Sequence, residues 1–454
     1  MKPRGQSLLG VVVAGLVVGG SVLTARVGPR EPDPPPLVAT VSQAWACPHG
    51  GGKGWTGAVW IANTGSDAAV ARVTPQGTQA PAEPFELEVP AGSAVQHEVP
   101  AGERAASTMV ETFGGDTAVG WVVRAGEQES GVGAEPCLPA RAGSWFTAAP
   151  TTREGDDAFL VIQNPYDGDA VLDVSLFTAD RPPIRASDWT DYVLGARRSV
   201  ALPLGSKAPA AEVLAAQVDV RLGRVAVSTL EVSEQGGVRS ALAQTAVGVA
   251  RVLPTAGGAG QSELLVAVPG EHQARLRATL LSQGPPEPAG GITEVEQAAT
   301  SVKAYPVITT GPGSVDVIAT AGDGLVTALR TVGRRGDDGA TGGAADPAAD
   351  WVVLPDAAGP RASLSTVVLV NPGSEEARVT LTLLPPSGGE PRTVTVSVPA
   401  ASVAPAPPDL LAGHPLGAVL VRCSTGTVVA LGASAGTGES GPSYALGLGV
   451  PVAT

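Results

Sequence analysis

The chain has 454 residues, more than one hydrophobic core usually serves, since single cores stop growing near about 250–300 residues. Its 43 Asp and Glu outnumber 29 Lys and Arg, and the resulting charge of −14 excludes the basic footprint of a DNA- or RNA-binding protein. With 59 Gly, 41 Pro, 4 His, 3 Cys and 16% charged residues, it is also no coiled coil, multi-pass membrane protein, disulfide miniprotein or His-rich metal protein, and nothing in it calls for a cofactor.

Residues 1–26 read as a membrane anchor or signal segment. Lys2 and Arg4 precede an uncharged run, 7–25, that would form a helix about 28 Å long, close to the apolar thickness of a bilayer. The one Ala-ending cleavage candidate, Leu23-Thr24-Ala25, has a large residue where signal peptidases prefer a small one. A retained single-pass anchor with the bulk of the chain outside is therefore expected, although Arg26 and Arg30 balance the N-terminal charges. No Cys follows the run to suggest a lipoprotein. Residues 27–38 are Pro-rich (VGPREPDPPPL) and form a semi-rigid spacer.

The body then repeats. AVWIANTGSDAAVARV from Ala58, AFLVIQNPYDGDAVLDVSLF from Ala158, ELLVAVPGEHQARLRATLL from Glu263 and TVVLVNPGSEEARVTLTLL from Thr366 each place a strand, a tight corner and a second alternating strand in succession. Asn63, Asn164, Val268 and Asn371 fall at equivalent corner positions, and repeat 3 departs from the pattern with Val268-Pro269-Gly270. Later hairpins beginning at Thr117, Val218, Val315 and Ala418 keep the same offset from these corners. The expected segments are 39–140 (β repeat 1), 141–250 (repeat 2), 251–335 (repeat 3), 336–350 (a Gly/Asp-rich linker) and 351–454 (repeat 4).

The local pattern is β throughout. RTVTVSVPA from Arg392 alternates Val394, Val396 and Val398 with Thr393, Thr395 and Ser397, as a half-buried strand requires. The fold class expected is all-β, in four tandem repeats of roughly 100 residues. Immunoglobulin-like β-sandwiches are favoured, and a β-propeller is the alternative. A short strand ending near Pro recurs five times for four repeats, at Pro48, Pro139, Pro254, Pro355 and Pro451, either as a shared connector or as the piece that seals a ring.

Few residues carry candidate chemistry. Cys47 and Cys137 flank repeat 1 at matching positions, and an exported chain would join them in a disulfide. Cys423 reads as a structural thiol. Gly432-Ala433-Ser434-Ala435-Gly436 fits the spacing of a nucleophile elbow, but no helix follows and His414 is not placed to serve Ser434. Cys47-Pro48-His49 lacks a second metal-ligand pair, and Arg335-Gly336-Asp337, Asp167-Gly168-Asp169 and Asp337-Asp338 read as loops and turns. Trp45, Trp55, Trp60 and Trp121 concentrate in repeat 1. Trp60 and Trp121 are expected inside, and Trp55, in GGGKGWTG, is the possible ligand-binding residue if its ring stands open for a sugar to stack on.

The apolar N-terminus, Pro-rich spacer and repeats with Asn164-Pro165 and Asn371-Pro372-Gly373 corners resemble an uncharacterised family of membrane-anchored exported proteins of high-GC Gram-positive bacteria. The resemblance implies a cell-envelope setting and brings no catalytic residues. The function expected is a non-enzymatic, membrane-tethered binding or scaffolding protein whose partner is an envelope protein or a wall glycan. The alternatives are a specific cell-wall glycan module and a carbohydrate-active or hydrolytic enzyme on a β scaffold.

Overall fold

The computed structural model describes residues 42–452 except 127–128, 130, 139–142, 180, 234–236, 334–336, 356–361, 387–389, 412–416 and 439–440. The expected N-terminal helix and spacer lie outside the described residues. Among the described residues no helix is long and apolar enough to cross a membrane.

The fold is all-β, interrupted among the described residues by three short 3-10 turns, Ser187–Trp189, Leu204–Ser206 and Ala289–Gly291. Each repeat is a pair of facing antiparallel sheets, none of them closed on itself. In repeat 1 one sheet runs Ser42–Cys47, Ser107–Phe113, Ala69–Gln76, Phe85–Val89. The other runs Ser93–Pro100, Thr56–Asn63, Thr117–Arg124, Val132–Pro136. The chain crosses between sheets along its length, so each repeat is a two-layer unit in which neither sheet forms alone. Period-2 alternation sends Val59, Ile61, Val119 and Val123 from one sheet against Ala71, Val73 and Val110 of the other. The same two-layer core recurs around Leu160, Ile162 and Leu172 in repeat 2, Leu264, Val266 and Leu276 in repeat 3, and Val368, Val370 and Val379 in repeat 4.

The Asn corners show why that residue is used. The Asn371 amide donates to Glu375 O (2.7 Å), Val398 O (3.0 Å) and Pro399 O (3.0 Å), while its Oδ1 accepts from Gly373 N–H (2.9 Å). One buried side chain thus satisfies the tight turn and the backbone entering the next edge strand. Asn63 and Asn164 make the same contacts, to Asp67 O and Val89 O, and to Gly168 O and Leu194 O. Repeat 3 solves the problem from the other side. Val268 fills the Asn position, and the residue paired with Ala274, where the other repeats hold Val89, Leu194 or Val398, is Gln297. The Gln297 amide donates to Val266 O at 2.8 Å, and its Oε1 accepts from Tyr305 Oη at 3.2 Å. The degraded repeat is therefore an exchange of polar and apolar positions.

The four two-layer units close into a ring. The inner strands Val132–Pro136, Gly237–Leu242, Asp338–Thr341 and Gly441–Leu448 pack each against the next, and the last against the first. At the seam between repeats 1 and 2, Ser199 N–H donates to Gly77 O (2.9 Å) and Gln163 Nε2 to Gln76 Oε1 (2.7 Å). Between repeats 2 and 3, Phe177 and Ala215 meet Leu265, Ala267 and Val302. Between repeats 3 and 4, Tyr444 Oη donates to Gly257 O (2.7 Å) and Val403 N–H to Ser282 O (3.2 Å). The ring shuts where Ala62, Ala94 and Ala118 of repeat 1 pack on Val352, Leu420 and Val450 of repeat 4. The fifth Pro-ended strand takes part: Val450–Pro451 joins the edge of the sheet containing Asp350–Val353.

The segment 336–350, expected as a linker, does not behave as one over its described residues, 337–350. Asp338–Thr341 is the buried inner strand of repeat 3, and Ala348 bridges to Val428. Its Gly and small residues suit close packing at the ring centre as well as they would suit a flexible spacer, and composition does not separate the two uses. Gly131 illustrates the requirement: it sits at φ +110°, and a Cβ there would lie 2.4 Å from Val238 N.

Asn371→Ala leaves three backbone carbonyls without their donor and is expected to lower unfolding free energy by about 3 kcal/mol in denaturant titration. An effect within about 0.5 kcal/mol would show the corner to be held by the backbone alone.

Candidate functional site

The segment from Cys47 to Trp55 links the disulfide, the buried His and the Trp cluster. Cys47 and Cys137 are joined, with Cα atoms 4.5 Å apart and 90 residues between them in sequence. The bridge lies beside a two-way backbone pairing of Ala46 and Leu138, so it fastens the first strand of repeat 1 to the chain leaving that repeat. By chain entropy a loop of 90 residues is worth about 4–5 kcal/mol.

His49 is fully buried. Its Nδ1 donates to Gly50 O at 2.7 Å, which leaves Nε2 to accept from the Thr108 hydroxyl at 3.1 Å. Burial holds the imidazole neutral and lowers its pKa to about 4, opposed by the Gly50 carbonyl.

Trp55 does not present an open face. It is 5% exposed, and its indole N–H donates to Glu129 Oε2 at 2.5 Å. Arg104 lies 5.2 Å from its ring centroid, pairs with Glu129 at 2.6 Å and also covers Phe159 of repeat 2 at 5.5 Å. The Gly-rich stretch around Trp55, read as exposed, tucks the ring under Arg104 at the seam of repeats 1 and 2, and this corrects the expectation of a stacking platform. Trp60 and Trp121 are each 2% exposed, as interior strand residues should be.

The densest group of charges lies at the seam of repeats 2 and 3. Arg239, on the inner strand Gly237–Leu242, pairs with Glu231 and with Asp338 of the next inner strand, with Asp156 at 3.8 Å. Arg330 reaches Glu263 at 3.2 Å and donates to Ala149 O at 3.1 Å, and Arg153 pairs with Glu212 at 2.8 Å and Glu263 at 3.6 Å. Glu231 also accepts from Thr151 N–H at 3.0 Å. Arg239, Arg330 and Glu231 are buried. Removing one arginine from such a buried set strands its carboxylates and costs about 3–5 kcal/mol. The sequence singles out only Asp338 of these, as a turn residue, and the structure corrects it to a buried strand residue paired with Arg239. The available signal is repeat comparison: Arg330 pairs with Glu263 where equivalent pairings place Leu230, Val122 and Ala433.

Glu135, on the inner strand of repeat 1, is a second buried acid. The N–H groups of Leu242 in repeat 2 and Leu448 in repeat 4 hydrogen-bond to it, so one carboxyl touches three repeats. Burial nevertheless raises its pKa well above the usual value, and Oε1 has no hydrogen-bond partner among the described residues.

The remaining sequence candidates resolve one by one. Ser434 is a buried residue within Val429–Gly438, opposite Ala445, and not at a strand-to-helix elbow; His414 lies outside the described residues. Cys423 is half-buried, and burial with the nearby Asp350 charge pushes its thiol up to about 11, which makes it a poor nucleophile at neutral pH. Asp167 pairs with Arg197, and Asp169 accepts from Ala196 N–H at 3.0 Å, as turn residues do. Asp337 is buried, and Arg335 and Gly336 lie outside the described residues. Among the described residues no group of three or more His, Cys, Asp or Glu is placed to hold a metal ion. A cleft of ≈ 270 Å³ beside Thr178 is walled mainly by small residues between Ala208 and Val213.

The model of a protein family of unknown function, DUF5719, matches residues 96–408, more than half of the chain. The chain belongs to this family. The DUF5719 match begins within Ser93–Pro100 and runs through repeats 2 and 3 into repeat 4, so it contains the whole ionic seam. No curated protein matches the chain.

Two pH responses of opposite sign follow. His49 has a folded pKa below the ordinary 6.5 of an imidazole, so its contribution is present above pH 6.5 and is lost as pH falls through about 4. His49→Gln should therefore flatten the fall of melting temperature across that window. Glu135 has a folded pKa well above the ordinary 4.5 of a glutamate, so burying it costs nothing below that pH and progressively more above it. Glu135→Gln should raise the melting temperature at pH 7 and not at pH 4. An equal shift at both values would mean that packing, not charge, distinguishes the two side chains.

Proposed function

We propose that this DUF5719 protein is a membrane-tethered, extracytoplasmic component of the cell envelope that binds or scaffolds other envelope proteins and is not an enzyme. The observation that carries the reading is the Cys47–Cys137 bridge. A buried structural disulfide across the first and last strands of a repeat forms and persists in an oxidising compartment and is rare where glutathione keeps thiols reduced. The apolar run at 7–25 and the Pro-rich spacer at 27–38 add a means of tethering. The ring supplies the rest of the argument. Four packed repeats give a rigid body whose outward edges face in several directions, which suits an assembly platform. Recognition of wall glycan by stacking on Trp55 is the weaker reading, because that ring is covered by Arg104.

Thiol trapping tests the compartment. Cells expressing the full chain are acid-quenched, denatured and treated with a maleimide of high mass. Export predicts one labelled thiol, Cys423, before reduction and three after it. Three labelled thiols without reductant would place the protein in a reducing compartment and remove the basis of the reading. Resistance of the protein to alkaline carbonate extraction checks the tether independently.

A further inference from the structure

The outer edges of the sheets differ among repeats in a way the ring does not require. In every repeat the strand after the Asn corner carries one outer neighbour at the sheet margin. In repeat 1 that neighbour is Phe85–Val89 (FELEV), which exposes Glu86 and Glu88. In repeat 2 it is broken into Ile184–Arg185 and Tyr192–Leu194, behind Pro182 and Pro183. In repeat 3 it is broken again, into Glu287–Pro288 and Val295–Gln297, behind Pro285 and Pro286. Charge, proline and interruption are the ordinary means by which a free edge is kept from pairing with another chain.

Repeat 4 keeps this strand whole and uncharged through its centre, although Pro391 and Arg392 stand at its start. Arg392–Val398 (RTVTVSV) is an unbroken seven-residue strand with no charge after its first residue, and Thr393, Thr395 and Ser397 are exposed. Its backbone ladder runs to Ala377–Leu384, and among the described residues no second strand pairs with Thr393–Val398. Its other side offers a row of backbone N–H and C=O groups to any strand that arrives.

We propose that Arg392–Val398 is a self-association edge, on which the same strand of a second copy of this chain pairs antiparallel about a two-fold axis through Thr395. The choice of a second copy rests on the residues that such an axis brings together. Val394 falls opposite Val396, Thr393 opposite Ser397 and Thr395 opposite itself, so apolar meets β-branched apolar, hydroxyl meets hydroxyl and no like charges face each other. The same operation on Phe85–Val89, about Leu87, would set Glu86 against Glu88. For a chain of net charge −14, an edge free of carboxylates is where two copies can approach. The pairing is isologous and therefore closes at two, and it fuses two five-stranded sheets into one.

Cysteine trapping in the full chain tests this. Thr395→Cys, in a Cys423→Ser background, is treated with a short bismaleimide and run on a denaturing gel. The expected result is a covalent dimer that the control Glu86→Cys in the same background does not give. Adding Thr393→Lys with Ser397→Lys sets lysine opposite lysine and is expected to abolish the dimer. Those side chains point to solvent, so the melting temperature of this variant should match its parent and exclude misfolding. A Thr395→Cys dimer no stronger than the Glu86→Cys control, or one that survives the paired lysines, overturns the proposal. A Thr395→Cys adduct with a different protein in place of the homodimer also overturns it, by assigning the edge to a foreign strand.

Discussion

Everything in this molecule answers to the close approach of four inner strands at the centre of a ring. Those strands meet face to face without hydrogen bonds joining them into a barrel, so the distance between them is set by side-chain size. Gly131, just before the first inner strand, and Gly133 within it lie against Val238 and Ser240 of the second, and Gly339 of the third lies against Tyr444 and Leu446 of the fourth. Any larger residue at these places would push neighbouring repeats apart and open all four seams together. The abundance of glycine, which by composition alone resembles flexibility, here serves contact.

The seams are not chemically equal. Repeat 1 meets repeat 4 mainly through alanine and valine, and repeat 2 through Val161, Leu230 and Val238, the Arg104–Phe159 contact and short hydroxyl and amide hydrogen bonds. Among the described residues, repeats 2 and 3 alone bury a set of arginines and carboxylates beside their apolar contact. A buried ionic set contributes less net stability than an apolar replacement of the same shape would, because desolvation offsets much of the attraction. It does, however, fix register, since a slip of one residue in either inner strand would separate Arg239 from Asp338 and leave both charges uncompensated. Glu135 works in a similar way, accepting from repeats 2 and 4 at once at the expense of a buried acid.

Much of the fold could be read from the chain before its structure. The four corners, the hairpins and the all-β character followed from alternation and turn residues, because strands buried on one face leave a period-2 trace and Asn-Pro-Gly corners have few conformational options. The pairing of Cys47 with Cys137 was readable too, since both sit at the same point of a repeating pattern. What could not be read depends on contacts between repeats. Nothing local to Gly339 distinguishes an inner strand from a linker, and nothing in GGGKGWTG reveals that Arg104 will cover Trp55. Nothing local to Arg239, Glu231 or Arg330 marks them as buried; that depends on the partner repeat packed against them. The exchange of Val268 and Gln297 was visible only as a lost motif, because the compensating residue lies almost thirty positions away in sequence and next to it in space.

Ring closure also has a consequence in time. A linear array can complete each unit as it emerges from the ribosome, whereas here repeat 1 keeps one flank bare until the strand ending at Pro451 has been made. During that interval Ala62, Ala94 and Ala118 present an apolar surface to whatever is nearby, including the unfinished ends of other copies. The Cys47–Cys137 bridge lies within the first repeat alone, so it can be formed early and can hold that repeat in shape while it waits. The staple belongs to the part of the chain that must remain incomplete longest.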